Sequence, residues 1–89
     1  MAKVHILYGI RVLLPPNYSS WKHWWEAKKG RKATKCSNIV CNNESTVGVH
    51  VQKDGFFDTK WQVVPLCEKC SKIRGSFIVN DVDLQEFNI

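Results

Sequence analysis

The chain has 89 residues, 44% apolar and 24% charged. That is an ordinary globular balance, enough for one small domain with a marginal core, and chains this short often add a metal ion or disulfides. No stretch approaches the roughly 20 apolar residues of a membrane span, and there is no low-complexity tract or internal repeat. Arg11 interrupts the mildly apolar start and no small-residue cleavage site follows. No signal peptide is therefore expected, and a cytoplasmic, reducing compartment is. Thirteen Lys and Arg against eight Asp and Glu give a net charge of +5. The charge is uneven: residues 1–35 carry eight basic side chains and only Glu26 as an acid, whereas residues 36–89 carry five basic and seven acidic ones.

In chain order, Val4, Ile6, Tyr8, Ile10, Val12 and Leu14 alternate with Lys3, His5, Gly9 and Arg11, which predicts a strand over residues 4–14. Pro15 and Pro16 end it. Asn17, Ser19 and Ser20 offer caps for a helix over residues 21–29, and Gly30 stops that helix. Trp21, Trp24, Trp25 and Lys28 share one helix face. The tryptophans read either as core or as aromatics that stack on bases or anchor a partner protein. Lys28, Lys29, Arg31, Lys32 and Lys35 follow with no acid between residues 27 and 35. This run is either a solvated linker or a segment that contacts nucleic-acid phosphates.

After a polar turn at residues 42–45, residues 46–52 alternate again, with Val47, Val49 and Val51 on one face and Gly48 and His50 on the other. Asp54 and Gly55 make a turn, near which Asp58 also lies, and residues 61–64 return as a second strand on which Trp61 is expected to be core against the metal site. A short helix is expected from Cys70, ended by Gly75. Residues 77–79 read as a last strand, after which Val82, Leu84 and Phe87 fold the tail onto the domain.

Cys36, Cys41, Cys67 and Cys70 have the spacing C-x4-C, 25 residues, C-x2-C. In a secreted chain they could form two disulfides; in a reducing compartment paired cysteine loops more often hold metal. Four thiolates fill a tetrahedral zinc shell and leave no open position, so the expected cofactor is one structural Zn²⁺. A redox C-x-x-C pair and four unlinked core cysteines are the alternatives.

A cysteine knuckle, a β-hairpin, a second knuckle and a helix opening there is the order of a treble clef. Residues 47–51 (VGVHV) and 61–70 (WQVVPLCEKC) resemble the HNH (His-Me finger) endonucleases that carry a four-cysteine zinc site. The resemblance covers residues 36–75, and the tail is similar to small bacterial and phage proteins of this kind. It implies a zinc treble clef, placed over residues 36–89; the resemblance does not extend to residues 1–35, whose basic strand and Trp-rich helix, read from their own pattern, are expected to pack on it, and the expected fold class is α+β. The resemblance also implies His50 as the general base. The family's orienting asparagine falls on Gln62, its final histidine ligand on Ser71, and the acid or histidine before the first histidine on Val49, so the resemblance implies a degenerate active site.

Three functions follow in order. The first is a non-catalytic nucleic-acid-binding module, for DNA before RNA. The second is a protein-binding inhibitor or adaptor, phage-encoded and directed at a host enzyme. The third is an HNH endonuclease. No small-molecule substrate is evident.

Overall fold

A computed structural model describes the chain except Arg11 and residues 56–59 and 88–89; of the residues named in the sequence expectations, Arg11 and Asp58 lie outside the described ones. The elements are β1 (Ala2–Ile6), α1 (Trp21–Lys29), β2 (Val47–Lys53), β3 (Trp61–Leu66), a 3₁₀ turn (Cys70–Lys72), β4 (Phe77–Val79), a second 3₁₀ turn (Asp81–Asp83) and β5 (Gln85–Glu86). The strands make one antiparallel sheet in the order β4-β1-β2-β3-β5. No helix among the described residues is long and apolar enough to cross a membrane.

Side chains alternate across a strand, and here both faces of the sheet are covered. Val51, Val64 and Leu66 face a core shared with Val4, Ile6, Phe77, Val79, Leu84 and three of the cysteines. Val63, one residue out of phase, faces a second core made by Trp24, Trp25 and Ala33, with Leu14, Tyr18, Trp21 and Phe87 at its margin. β3 therefore reads as the apolar run WQVVPL, buried from Gln62 to its end, as strands with two covered faces do. β1 belongs to the first 35 residues, yet strands of the later segment flank it on both sides, with Val4 opposite Lys53 on β2 and opposite Phe77 on β4.

α1 starts where Ser20 Oγ accepts the His23 N–H at 3.1 Å, a side-chain N-cap. It ends at Gly30, whose φ of 71° and N–H bond to Glu26 O make a left-handed C-cap. Trp25 is wholly buried, and its Nε1–H donates to Asp83 O at 2.8 Å. Burying an indole of this size contributes roughly 4–6 kcal/mol at the usual coefficient per unit area. The helix lies so close to β2 that a Cβ on Gly48 would stand 2.5 Å from Trp21 C and 2.6 Å from Lys22 N.

Several expectations are corrected. β1 stops at Ile6 rather than Leu14, because a turn at residues 8–9 takes the chain off the sheet; Tyr8 instead reaches back to donate its hydroxyl to Ile73 O at 2.6 Å. The segment after Cys70 is one 3₁₀ turn that ends in extended backbone at Ile73, before Gly75. Among the described residues α1 is the only α-helix. Trp61 is half-buried and belongs to neither core; it sits at the end of β3 remote from Cys67, opposite Gln52. Leu84 and Phe87 do fold onto the sheet, but Val82 is 70% exposed.

The helix contact gives a direct test. Gly48→Ala forces a methyl into the α1 backbone, which can yield only by lifting the helix. Overpacking of this kind should cost about 2 kcal/mol or more, a fall in midpoint of roughly 10 °C for a domain this size, measured by thermal denaturation at saturating metal.

Candidate metal centre

The two cysteine pairs are placed by different devices. Cys67 follows β3 directly, and Cys70 opens the 3₁₀ turn. Ser71 N–H bonds Cys67 O at 3.0 Å, and Cys70 N–H points at Cys67 Sγ at 3.4 Å. The first pair lies on a loop between α1 and β2 that is tied to the sheet twice, by Ser37 N–H to Pro65 O at 2.9 Å and by Ile39 N–H to Ile78 O at 3.0 Å. The loop closes on itself through Cys36 N–H to Asn43 O and Cys41 N–H to Asn38 O, both 2.9 Å, with Lys35 bridged to Glu44 just outside.

The four Sγ atoms lie within 4.8 Å of one another. For an ion bound at about 2.3 Å, the edge of a sulfur tetrahedron is about 3.8 Å, and Cys41 and Cys67 Sγ are 3.8 Å apart. Four cysteines are thus positioned to bind a metal ion. Cys36, Cys67 and Cys70 are buried and Cys41 is half-buried. Burial opposes ionisation of Cys67, but hydrogen bonds from Cys70, Asn43 and Cys41 outweigh it and bring its thiol down to about 6. Burial and its sulfur neighbours push Cys70 up to about 12, and burial raises Cys36. Among Cys36, Cys67 and Cys70, Cys67 is therefore the one whose surroundings favour the thiolate.

The residues implied by the nuclease resemblance are not brought together. Val51 pairs with Gln62 and His50 pairs with Val63, so His50 and Gln62 project from opposite faces of the sheet. Gln62 is buried. Ser71 donates its hydroxyl to Glu68 O at 2.5 Å. His50 lies edge-on to Trp21, centroids 4.4 Å apart, and to Phe87 at 5.7 Å. Its Nε2 is buried without a hydrogen-bond partner among the described residues. Asp54 belongs to a different device: it accepts from Ser76 Oγ at 2.5 Å and pairs with His5 Nδ1 at 2.6 Å, which holds its carboxyl below the usual range. Nothing in the local sequence signals that Phe87, 37 residues on, covers His50.

The basic run divides. Lys29 Nζ donates to Leu84 O at 2.5 Å, and burial, then Arg31, lower its proton affinity. Arg31 bonds Asp83 Oδ1 at 2.7 Å and lies over the Trp25 ring. Both hold the C-terminal segment. Lys28, Lys32 and Lys35 are exposed and make no ion pair among the described residues.

No protein-family model matches this chain, and neither curated proteins nor solved structures give a match.

Two outcomes check this site. The purified protein should carry one metal ion per chain by elemental analysis, and Cys67→Ala should abolish both metal binding and the folded state, since binding energy in so small a domain is folding energy. Burial depresses the pKa of His50, so the unfolded chain takes up that proton at a higher pH than the folded one. Its contribution to stability is complete above about pH 6.5 and is lost as pH falls below that towards the folded value. His50→Phe should remove this acid-side loss and, by deleting an unpaired buried nitrogen, raise stability by about 1 kcal/mol, read from denaturation curves of both proteins between pH 7 and 5.

Proposed function

We propose that this chain is a zinc-stabilised, non-catalytic nucleic-acid-binding module of treble-clef type, with the zinc as structural support and the surface beside the first cysteine loop as the contact face. The observation that carries the reading is the division of the basic run. Lys29 and Arg31 are bonded down to the C-terminal segment, and Lys28, whose ammonium lies over the Trp24 ring 6.0 Å from its centroid, Lys32 and Lys35 project from a stretch of backbone that those bonds, the α1 C-cap and Cys36 hold in place. Cations fixed in this way lose little entropy when they meet phosphates. Zinc is favoured for the ion by the four-sulfur donor set and closed shell. The absence of catalysis is supported by the capped His50 ring and by the position of Gln62 on the opposite sheet face.

A second reading, a protein-binding inhibitor or adaptor, is favoured by one feature: Val40, at the tip of the first cysteine loop, is 84% exposed. Salt dependence separates the two. Three phosphate contacts give a slope of log K against log[salt] of about −3 on duplex DNA, whereas an apolar protein contact is far less sensitive. Fluorescence anisotropy with a labelled duplex at several salt concentrations should show that slope. Changing Lys28, Lys32 and Lys35 together to Glu should remove binding and leave the metal content unchanged. Wild-type protein that fails to bind duplex or single strand at low salt would overturn the nucleic-acid reading in favour of the protein partner.

A further inference from the structure

Four thiolates around a divalent ion carry a net charge of −2, and in a mostly buried site that charge needs donors aimed at sulfur. Backbone groups supply some of them: Cys70 N–H to Cys67 Sγ at 3.4 Å, Asn43 N–H to Cys41 Sγ at 3.5 Å, and the Asn38 and Cys67 N–H groups to Cys36. Two more are side-chain amides. Asn38 Nδ2 lies 3.7 Å from Cys70 Sγ, and Asn43 Nδ2 lies 3.8 Å from Cys67 Sγ. Both asparagines belong to the first cysteine loop and both sulfurs to the second, so each amide crosses from one loop to the other.

The orientation of Asn38 is fixed by its surroundings. It is buried at 6% exposure, its backbone bridges Val79, and its Oδ1 accepts the Val40 N–H at 3.3 Å. With Oδ1 committed as an acceptor, Nδ2 is the atom turned to Cys70. Asn43 is exposed and directs three of its polar groups to the cysteines: its N–H to Cys41, its C=O to Cys36 N–H, its Nδ2 to Cys67. Neither residue has the positive φ that would favour asparagine for backbone reasons.

We propose that Asn38 and Asn43 are positioning residues of the metal centre, whose side-chain amides draw charge from the Cys70 and Cys67 thiolates and thereby slow metal loss and protect those sulfurs from electrophiles. The inference rests on the metal-centre reading and assigns its residues one step further. A donor on a thiolate lowers the energy of the sulfur lone pairs. It reduces their nucleophilicity and raises the energy needed to move an electron from sulfur to the metal. Removing it has the opposite effects, and a carboxylate in its place exaggerates them.

The test uses the full chain loaded with Co²⁺, whose sulfur-to-metal charge-transfer band reports on the thiolates directly. The variants are Asn43→Leu, Asn43→Asp and Asn38→Asp; the last keeps the oxygen that Val40 uses. Each should move the band to longer wavelength, weaken Co²⁺ and Zn²⁺ binding about tenfold or more in chelator competition, and speed alkylation of the loaded protein by iodoacetamide several-fold. Asn43→Asp should exceed Asn43→Leu in all three. A purely structural asparagine would leave the band where it is. Because Asn43 is exposed, its variants decide the matter even where Asn38→Asp does not fold. Wild-type protein with a four-thiolate Co²⁺ spectrum, together with Asn43 variants of unchanged band, affinity and alkylation rate, overturns the assignment and leaves the metal centre standing. Wild-type protein that takes up no Co²⁺ overturns both.

Discussion

The convergence of two cysteine pairs that are 25 residues apart in sequence is the constraint on which the other features depend. Neither pair would hold the other in place alone. β3 delivers Cys67 at a fixed point because six consecutive residues of that strand are paired along β2. The first loop reaches the same point because Ser37 and Ile39 are bonded to β3 and to β4 respectively. The loop has few buried apolar side chains of its own, so its backbone bonds and the four sulfurs do the work that a hydrophobic core does elsewhere. In a chain too small to bury enough apolar surface, this is the expected division of labour.

The other face of the sheet is organised by tryptophan. Trp25 fills the space above Val63, and the last residues of the chain are gathered around it: Asp83 by its indole N–H, Leu84 by Lys29, Asp83 again by Arg31. Cations at the end of α1 also suit the negative end of the helix dipole. A lysine and an arginine that look in sequence like part of one uniform basic run are therefore fasteners for the tail. The same logic accounts for His50. It lies on the α1 face because Gly48 does, two residues earlier on β2, and that face is closed by Trp21 and Phe87.

How much of this was legible in the sequence follows from what local pattern reports. Period-two alternation showed that Val49 and Val51 oppose Gly48 and His50, and the hairpin of two paired strands between the cysteine pairs read correctly. Ser20 and Gly30 marked the helix ends through their own backbone chemistry. Alternation reports faces, however, and not partners. Nothing near residues 2–6 says that this strand lies between β2 and β4, and apolar alternation up to Leu14 overstated the strand because Tyr8 and Leu14 are recruited by other surfaces. A helix was expected from Cys70 up to Gly75, but the residues there form one 3₁₀ turn. The metal site was legible because cysteine spacing is a chemical signal, while the asparagines that serve it were not, since Asn38 and Asn43 look like ordinary turn residues until their amides are seen to cross between loops.

The two faces are joined at residues 30–36, and this junction links the metal to the charged surface. Glu26 Oε2 accepts the Ala33 N–H at 2.8 Å, so the chain leaving α1 is pinned within three residues of its cap. Thr34 O accepts from Ser45 N–H at 2.9 Å, and Cys36 N–H is bonded to Asn43. The backbone that carries Lys32 and Lys35 is thus held at one end by the helix and at the other by Cys36, the first of the four clustered cysteines. The spacing of those cations is a property of the folded framework rather than of a flexible linker. It follows from the first of the four clustered cysteines standing one residue beyond the last lysine of the run.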